Sequence, residues 1–221
     1  RNTLLEAMTD DVAHLVLEDN RLQTLALSIA ERGGVRAVPS YIRAIEIFEA
    51  AGRLDRRVEG LASNADLSRR AAEGEGLTRP ELAVLLSTAK LALQDAIEQA
   101  GLGADALLEP DLRAAFPTAM QEKFGKAIDE HQLRGEIVAT KLANRIVNRI
   151  GLLNPFELAE EDGAALGDVA SMFVVVERLF DLGALWRDIE TTAMSEDGRL
   201  ALFEGVARAV RGQVADLLRV V

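Results

Sequence analysis

The densest polar patterning in this chain lies in residues 131–150. Glu136, Thr140, Asn144 and Asn148 recur every four residues, which lines them up along one side of an α-helix. Arg134, Lys141, Arg145 and Arg149 make a basic stripe beside them, and Leu133, Ile137, Leu142, Ile146, Val147 and Ile150 an apolar one. Asn is a poor helix-interior residue because its side chain competes for backbone hydrogen bonds. Two Asn four apart therefore point to partners outside the helix. The chemistry expected is recognition: a hydrogen-bonded interdomain docking surface built from Glu136, Thr140, Lys141, Asn144, Arg145, Asn148 and Arg149. An ordinary solvated face is the plainer alternative. The basic stripe finds carboxylates either within the chain or across an interface.

Catalytic constellations are scarce. The chain has 221 residues, no Cys and two His, so a disulfide framework, a thiolate metal site and a Cys nucleophile are excluded. A zinc site would need two or three carboxylates beside His14 or His131, and no metal site is expected. His14 reads as a half-buried packing residue on an amphipathic helix, and His131 as a capping or solvent-facing group near a helix start. Gly101-Leu-Gly103 resembles part of a phosphate-cradling loop but has no third Gly and no preceding strand; a helix C-cap explains it. No catalytic or cofactor-binding residue is assigned. Lys and Arg number 25 against 36 Asp and Glu, a net charge of −11, which disfavours a nucleic-acid partner. Phe173, Phe180, Trp186 and Phe203 cluster in the last third and read as core. The longest apolar runs are about five residues against roughly 20 for a membrane span, so no membrane partner is expected.

The elements that position these residues read as helices throughout. Ala and Leu make up about 31% of the chain, and no segment alternates with the period of a strand. An all-α, irregular bundle of roughly eight to ten helices is predicted, one helical domain over 1–221 with a possible subdivision at the Gly- and Glu-rich break of 73–76. Thr9 is expected to cap a first helix with Val12, Leu15, Val16 and Leu22 on its buried face, ending at Gly33-Gly34. Pro39-Ser40 opens the next, and Ser63 a short one. Thr78-Arg-Pro-Glu81 is a capping box. Helices through Met120, Phe124 and Ile128, and from His131 to Ile150, follow. Asn154-Pro155 starts another as cap and first position. Helices near 168–181, 184–193 and from Glu196 complete the chain.

Several stretches, in order, carry a resemblance. These are Arg1-Asn-Thr-Leu-Leu5 with Met8-Thr-Asp-Asp-Val12; Val16-Leu-Glu-Asp-Asn20 and Gln23; Gly52-Arg-Leu-Asp55; and Gly76-Leu-Thr-Arg-Pro-Glu-Leu-Ala-Val-Leu-Leu86. The last is His131-x-Leu133 with Glu136-Ile137, Ala139-Thr140, Ala143-Asn144 and Val147-Asn-Arg149. Together they resemble the region after the catalytic part of the large bacterial NAD-specific glutamate dehydrogenases. Residues 33–40 and Ser171-Met-Phe173 depart from that family's pattern.

The resemblance implies a fragment of a much longer cytoplasmic enzyme that oxidises glutamate with NAD to 2-oxoglutarate, ammonia and NADH. It implies a parent that is a homo-oligomer, so the partners expected are the catalytic domain of the same chain and other subunits. NAD belongs to the parent; no cofactor is expected in this stretch, and no position here matches a catalytic residue of the family. The function expected is a non-catalytic C-terminal helical domain supporting assembly or regulation. A stand-alone helical interaction or scaffold protein is the alternative from another class, and a DNA-binding regulator is disfavoured by the charge.

Overall fold

The computed structural model describes residues 2–220, with side chains from residue 3. Eleven α-helices and no strand occur among them, one helix above the predicted range. The first, α1, runs Asn2–Arg32, followed by a 3₁₀ turn Gly34–Ala37, α2 over Val38–Ala50 and α3 over Asn64–Ala72. Helix α4 spans Arg79–Gln99. Two 3₁₀ turns, Leu102–Ala104 and Ala106–Leu108, lead to α5 (Glu109–Arg113), α6 (Thr118–Asp129) and α7 (Arg134–Ile150). The last four are α8 (Asn154–Asp162), α9 (Leu166–Leu179), α10 (Leu182–Thr191) and α11 (Glu196–Leu218).

The local signals act where they stand. The Ser63 hydroxyl accepts from the Asp66 N–H at 3.2 Å and starts α3. At α4, the Thr78 N–H donates to Glu81 Oε2 at 2.8 Å while the Glu81 N–H reaches back to the Thr78 hydroxyl. Arg70 from α3 clamps the same carboxylate at 2.8 Å, so one Glu caps α4 and ties it to its predecessor. Gly101 ends α4 at φ +70°, a conformation that costs other residues strain.

Two expected caps instead bond a carbonyl four residues back. Thr9 lies inside α1, its hydroxyl donating to the Leu5 carbonyl at 2.9 Å. Helix α1 starts upstream of it because the chain continues helical through 2–8. Asn154 is the first residue of α8, and its amide donates back to the Ile150 carbonyl. It closes the C-terminal end of α7 instead of capping α8.

The core forms around α7, which lies against α4, α9 and α11. Val138, Leu142, Ile146 and Val147 are fully enclosed, as are Leu85, Ala89 and Leu93 on α4 and Val169 and Phe173 on α9. One hydrophobic cluster extends on both sides of 73–76: Phe48 of α2 meets Phe156 of α8 edge-on, ring centroids 5.0 Å apart. Helix α1 lies across α4, α6, α7 and α11.

Some residues assigned to buried faces are outside. Val12 and Val16 are 44% and 54% exposed, and α1 instead turns Leu15 and Leu22 inward, half-buried. Leu133 precedes the first turn of α7 and is exposed. Phe180 follows the end of α9 and is exposed, whereas Phe173, Trp186 and Phe203 are core.

Candidate functional site

The seven residues picked from the α7 pattern separate into distinct environments. Glu136 and Thr140 are exposed, and the Thr140 hydroxyl donates to the Glu136 carbonyl at 2.8 Å. Arg145 reaches α5, where it pairs with Asp111, and α9, where its Nε lies 3.0 Å from Glu177 Oε1. That second contact is an ion pair without hydrogen-bond alignment. Arg149 pairs with Glu190 at the end of α10, and Arg21 of α1 holds the other oxygen of Glu190 at 3.0 Å. The Arg149 guanidinium also lies over the rings of Trp186 and Phe203, 5.0 and 5.7 Å from their centroids, a cation–π arrangement strengthened by burial.

The basic stripe therefore meets its carboxylates within the chain at these two positions. Their partners Asp111, Glu177 and Glu190, with Arg21 on the other oxygen of Glu190, come from four other helices, which no spacing within α7 could reveal. Burial pushes the Glu177 carboxyl above its ordinary value despite Arg145. Burial also works against the Arg145 charge, but the hydrogen bonds it donates to Asp111 and the charge of Glu177 hold its pKa above the usual value.

Lys141, Asn144 and Asn148 face a cleft of about 350 Å³ bounded by α1, α5, α7, α9 and α10. Asn148 is 7% exposed, and its carboxamide oxygen has no hydrogen-bond partner among the described residues; the same holds for the indole N–H of Trp186 in the cleft wall. Arg187, also at the cleft, was not singled out by the sequence pattern, because it sits on a different helix.

Neither His gathers ligands. His14 is exposed instead of half-buried. His131 accepts the Leu133 N–H on Nδ1 at 3.1 Å and so organises the turn before α7; it does not cap the helix itself, because Leu133 lies ahead of the first turn. No cluster of three or more metal-ligating side chains occurs among the described residues.

The profile of the family described as "Glutamate dehydrogenase, C-terminal" matches residues 74–220. The chain belongs to this family. The NAD-specific glutamate dehydrogenase of Pseudomonas aeruginosa is 38% identical over 221 residues, 99% of this chain and 14% of that protein. Its namesake in Halomonas elongata is 38% identical over 190 residues, covering 86% of this chain and 12% of the relative. That of Mycobacterium tuberculosis is 36% identical over 189 residues, covering 86% and 12%. The chain thus spans about one-seventh of the length of the first of these relatives.

The relatives' names specify NAD, and the residues of this glutamate dehydrogenase C-terminal chain do not fit it. A dinucleotide fold needs a strand, a Gly-rich turn and a helix N-terminus in sequence, and the described residues form no strand. Gly101 and Gly103 serve a helix end and a helix contact instead. No residue of the chain is assigned to the cofactor.

Proposed function

We propose that this chain is the C-terminal helical domain of an NAD-specific glutamate dehydrogenase, that it performs no chemistry of its own, and that it docks on the catalytic domain of the same polypeptide. In such an enzyme, in the cytoplasm and as a homo-oligomer, glutamate is oxidised by NAD to 2-oxoglutarate and ammonia with formation of NADH. The domain supports assembly and the control of domain closure.

The observation that carries this reading is the outer face of α1. Leu5, Val12 and Val16 fall on one side of the helix and are 55%, 44% and 54% exposed. A row of large apolar side chains on a helix marks a surface that another body covers. Glu6 and Asp19, both exposed, border it on the same helix, which favours a basic rim on the partner. The family membership and the small share of the relatives' length support the rest of the polypeptide as that partner.

Two measurements test it. The chain alone is expected to form no NADH from glutamate and NAD; turnover would place the chemistry here and sink the reading. In the full-length enzyme, Val12→Glu with Val16→Glu is expected to weaken assembly or alter glutamate kinetics. In the 221-residue chain the same changes shift stability by less than about 0.5 kcal/mol, as for surface sites. Unchanged assembly and kinetics would remove α1 as the docking face.

A further inference from the structure

The α7 cleft holds more polar groups than the fold uses. Arg145 and Arg149 are committed to Asp111, Glu177 and Glu190. Lys141 on α7 and Arg187 on α10 border the same space and have no ion-pair partner among the described residues. Asn144 stands between Lys141 and Asn148 on the helix line and makes no hydrogen bond there either. Below them are two orphaned polar atoms, the Asn148 carboxamide oxygen and the Trp186 indole N–H, on side chains 7% and 3% exposed. Buried polar groups are nearly always satisfied, and an unmet one costs about 1–3 kcal/mol. Two on residues that line one cleft point to an occupant that supplies both a donor and an acceptor.

The charge balance says what kind. Four cationic side chains and three carboxylates, Asp19, Asp111 and Glu177, line the cleft, so it is net positive by one in a chain of net charge −11. Asp111 and Glu177 are answered by Arg145, and Asp19 also faces the ammonium of Lys90 behind it. A monoanion matches this balance; a dianionic phosphate would be set against three carboxylates. The volume, near the lower end for small-molecule sites, admits a compact organic molecule and not a nucleotide. Trp186 offers no face to a base, since it is stacked on Phe173 at 6.3 Å and covered by Arg149.

We propose that this cleft binds a small organic carboxylate, the anion held by Lys141, Arg187 and the Trp186 N–H, and a neighbouring donor of the ligand by the Asn148 carboxamide. Arginine's planar fork and the lysine ammonium both suit a carboxylate. The site rests only on residues of this chain and is independent of what α1 docks against. Because the walls come from α1, α5, α7, α9 and α10, an occupant draws these helices together.

The test uses the chain's only tryptophan as reporter. Sodium acetate and sodium glycolate, monoanions without and with a hydroxyl donor beside the carboxylate, are titrated into the 221-residue chain at constant ionic strength, with sodium chloride and sodium phosphate as comparisons. The expected result is a saturable change in Trp186 emission with the carboxylates alone, weakened about tenfold or more in Lys141→Ala and in Arg187→Ala. The two replaced side chains lie at the cleft mouth, and far-UV circular dichroism confirms folding. Should emission be silent, the side-chain amide resonance of Asn148 decides: movement with acetate supports the site. No movement, an equal response in both variants, or phosphate binding as tight as acetate overturns it.

Discussion

A β-carbon placed on Gly103 would stand 2.4 Å from the Cα of Gly135. The turn after α4 and the first turn of α7 therefore touch backbone to backbone. Arg134 seals the contact, its Nε donating to the Gly103 carbonyl at 2.8 Å. The relationship is one-sided, since a β-carbon on Gly135 meets nothing within 4 Å. Gly103→Ala is expected to destabilise the chain by about 1–3 kcal/mol, because two backbones must separate. Gly135→Ala is expected to be neutral or to stabilise by about 0.5–1 kcal/mol, the helix propensity gain. Urea unfolding of both variants checks the pair, and equal effects would contradict the contact.

Lys90 provides a pH signature. Its ammonium nitrogen is buried without a hydrogen-bond partner, and burial pushes its pKa down to about 8 from 10.5, with Asp19 opposing. The folded state thus releases this proton before the unfolded state does. Between pH 8 and 10.5 the unfolded chain binds more protons, so stability rises with pH. Tyr41, pushed up to about 12 from 10 by burial, reverses the slope above pH 10. The gain between pH 8 and 10 is expected to be on the order of 1–2 kcal/mol, after discounting for partial solvent screening. Lys90→Met should be more stable at pH 7 and lose this slope; a parallel profile would show that Lys90 is not its source.

Removing Arg145 leaves Asp111 and Glu177 facing each other without their cation. Arg145→Met is expected to cost about 2–4 kcal/mol, a partly buried case of a broken ion pair. Glu177 already has a pKa raised above 4.5 by burial, so protonation favours the folded state and its unfavourable contribution fades as pH falls. The variant's deficit should therefore shrink on acidification toward pH 5. A deficit independent of pH would mean that lost packing, not charge, is responsible.

Glu81 has two tasks at one carboxylate. Burial pushes its pKa up, but the hydrogen bonds from Arg70 and Thr78 outweigh this and hold it below the ordinary value. Glu81→Ala should cost more than Thr78→Ala, about 2 against about 1 kcal/mol, because it breaks the cap and the link to α3 together. Thermal unfolding of the two single variants and the Arg70→Ala variant measures the share of each; equal losses at 78 and 81 would deny the link.

Much of the helix punctuation was legible in the chain because it is local. The Ser63 and Thr78 caps, the Gly101 stop and the start after Ser195 each involve residues within four positions. The family was legible too, since ordered short matches need no geometry. Where reading failed, a second local partner competed for the side chain or the expected neighbour was missing. Thr9 and Asn154 carry capping side chains, yet each donates to a carbonyl four residues back. Val12 and Val16 have helix-core spacing but are left exposed, with no helix over them among the described residues.

The α7 pattern shows the same division. Sequence by itself determined that 131–150 is an amphipathic helix with a polar line of Asn and a basic stripe, because a period near 3.6 is a property of one helix. It also determined an acidic, Cys-free chain without a strand pattern. Only the tertiary structure decided that Arg145 and Arg149 are satisfied inside, while Lys141 and the buried Asn148 border a cleft with Trp186 and Arg187. The reason is physical: helical periodicity states which side chains share a face, but charge pairing and burial depend on what other helices bring within a few ångströms.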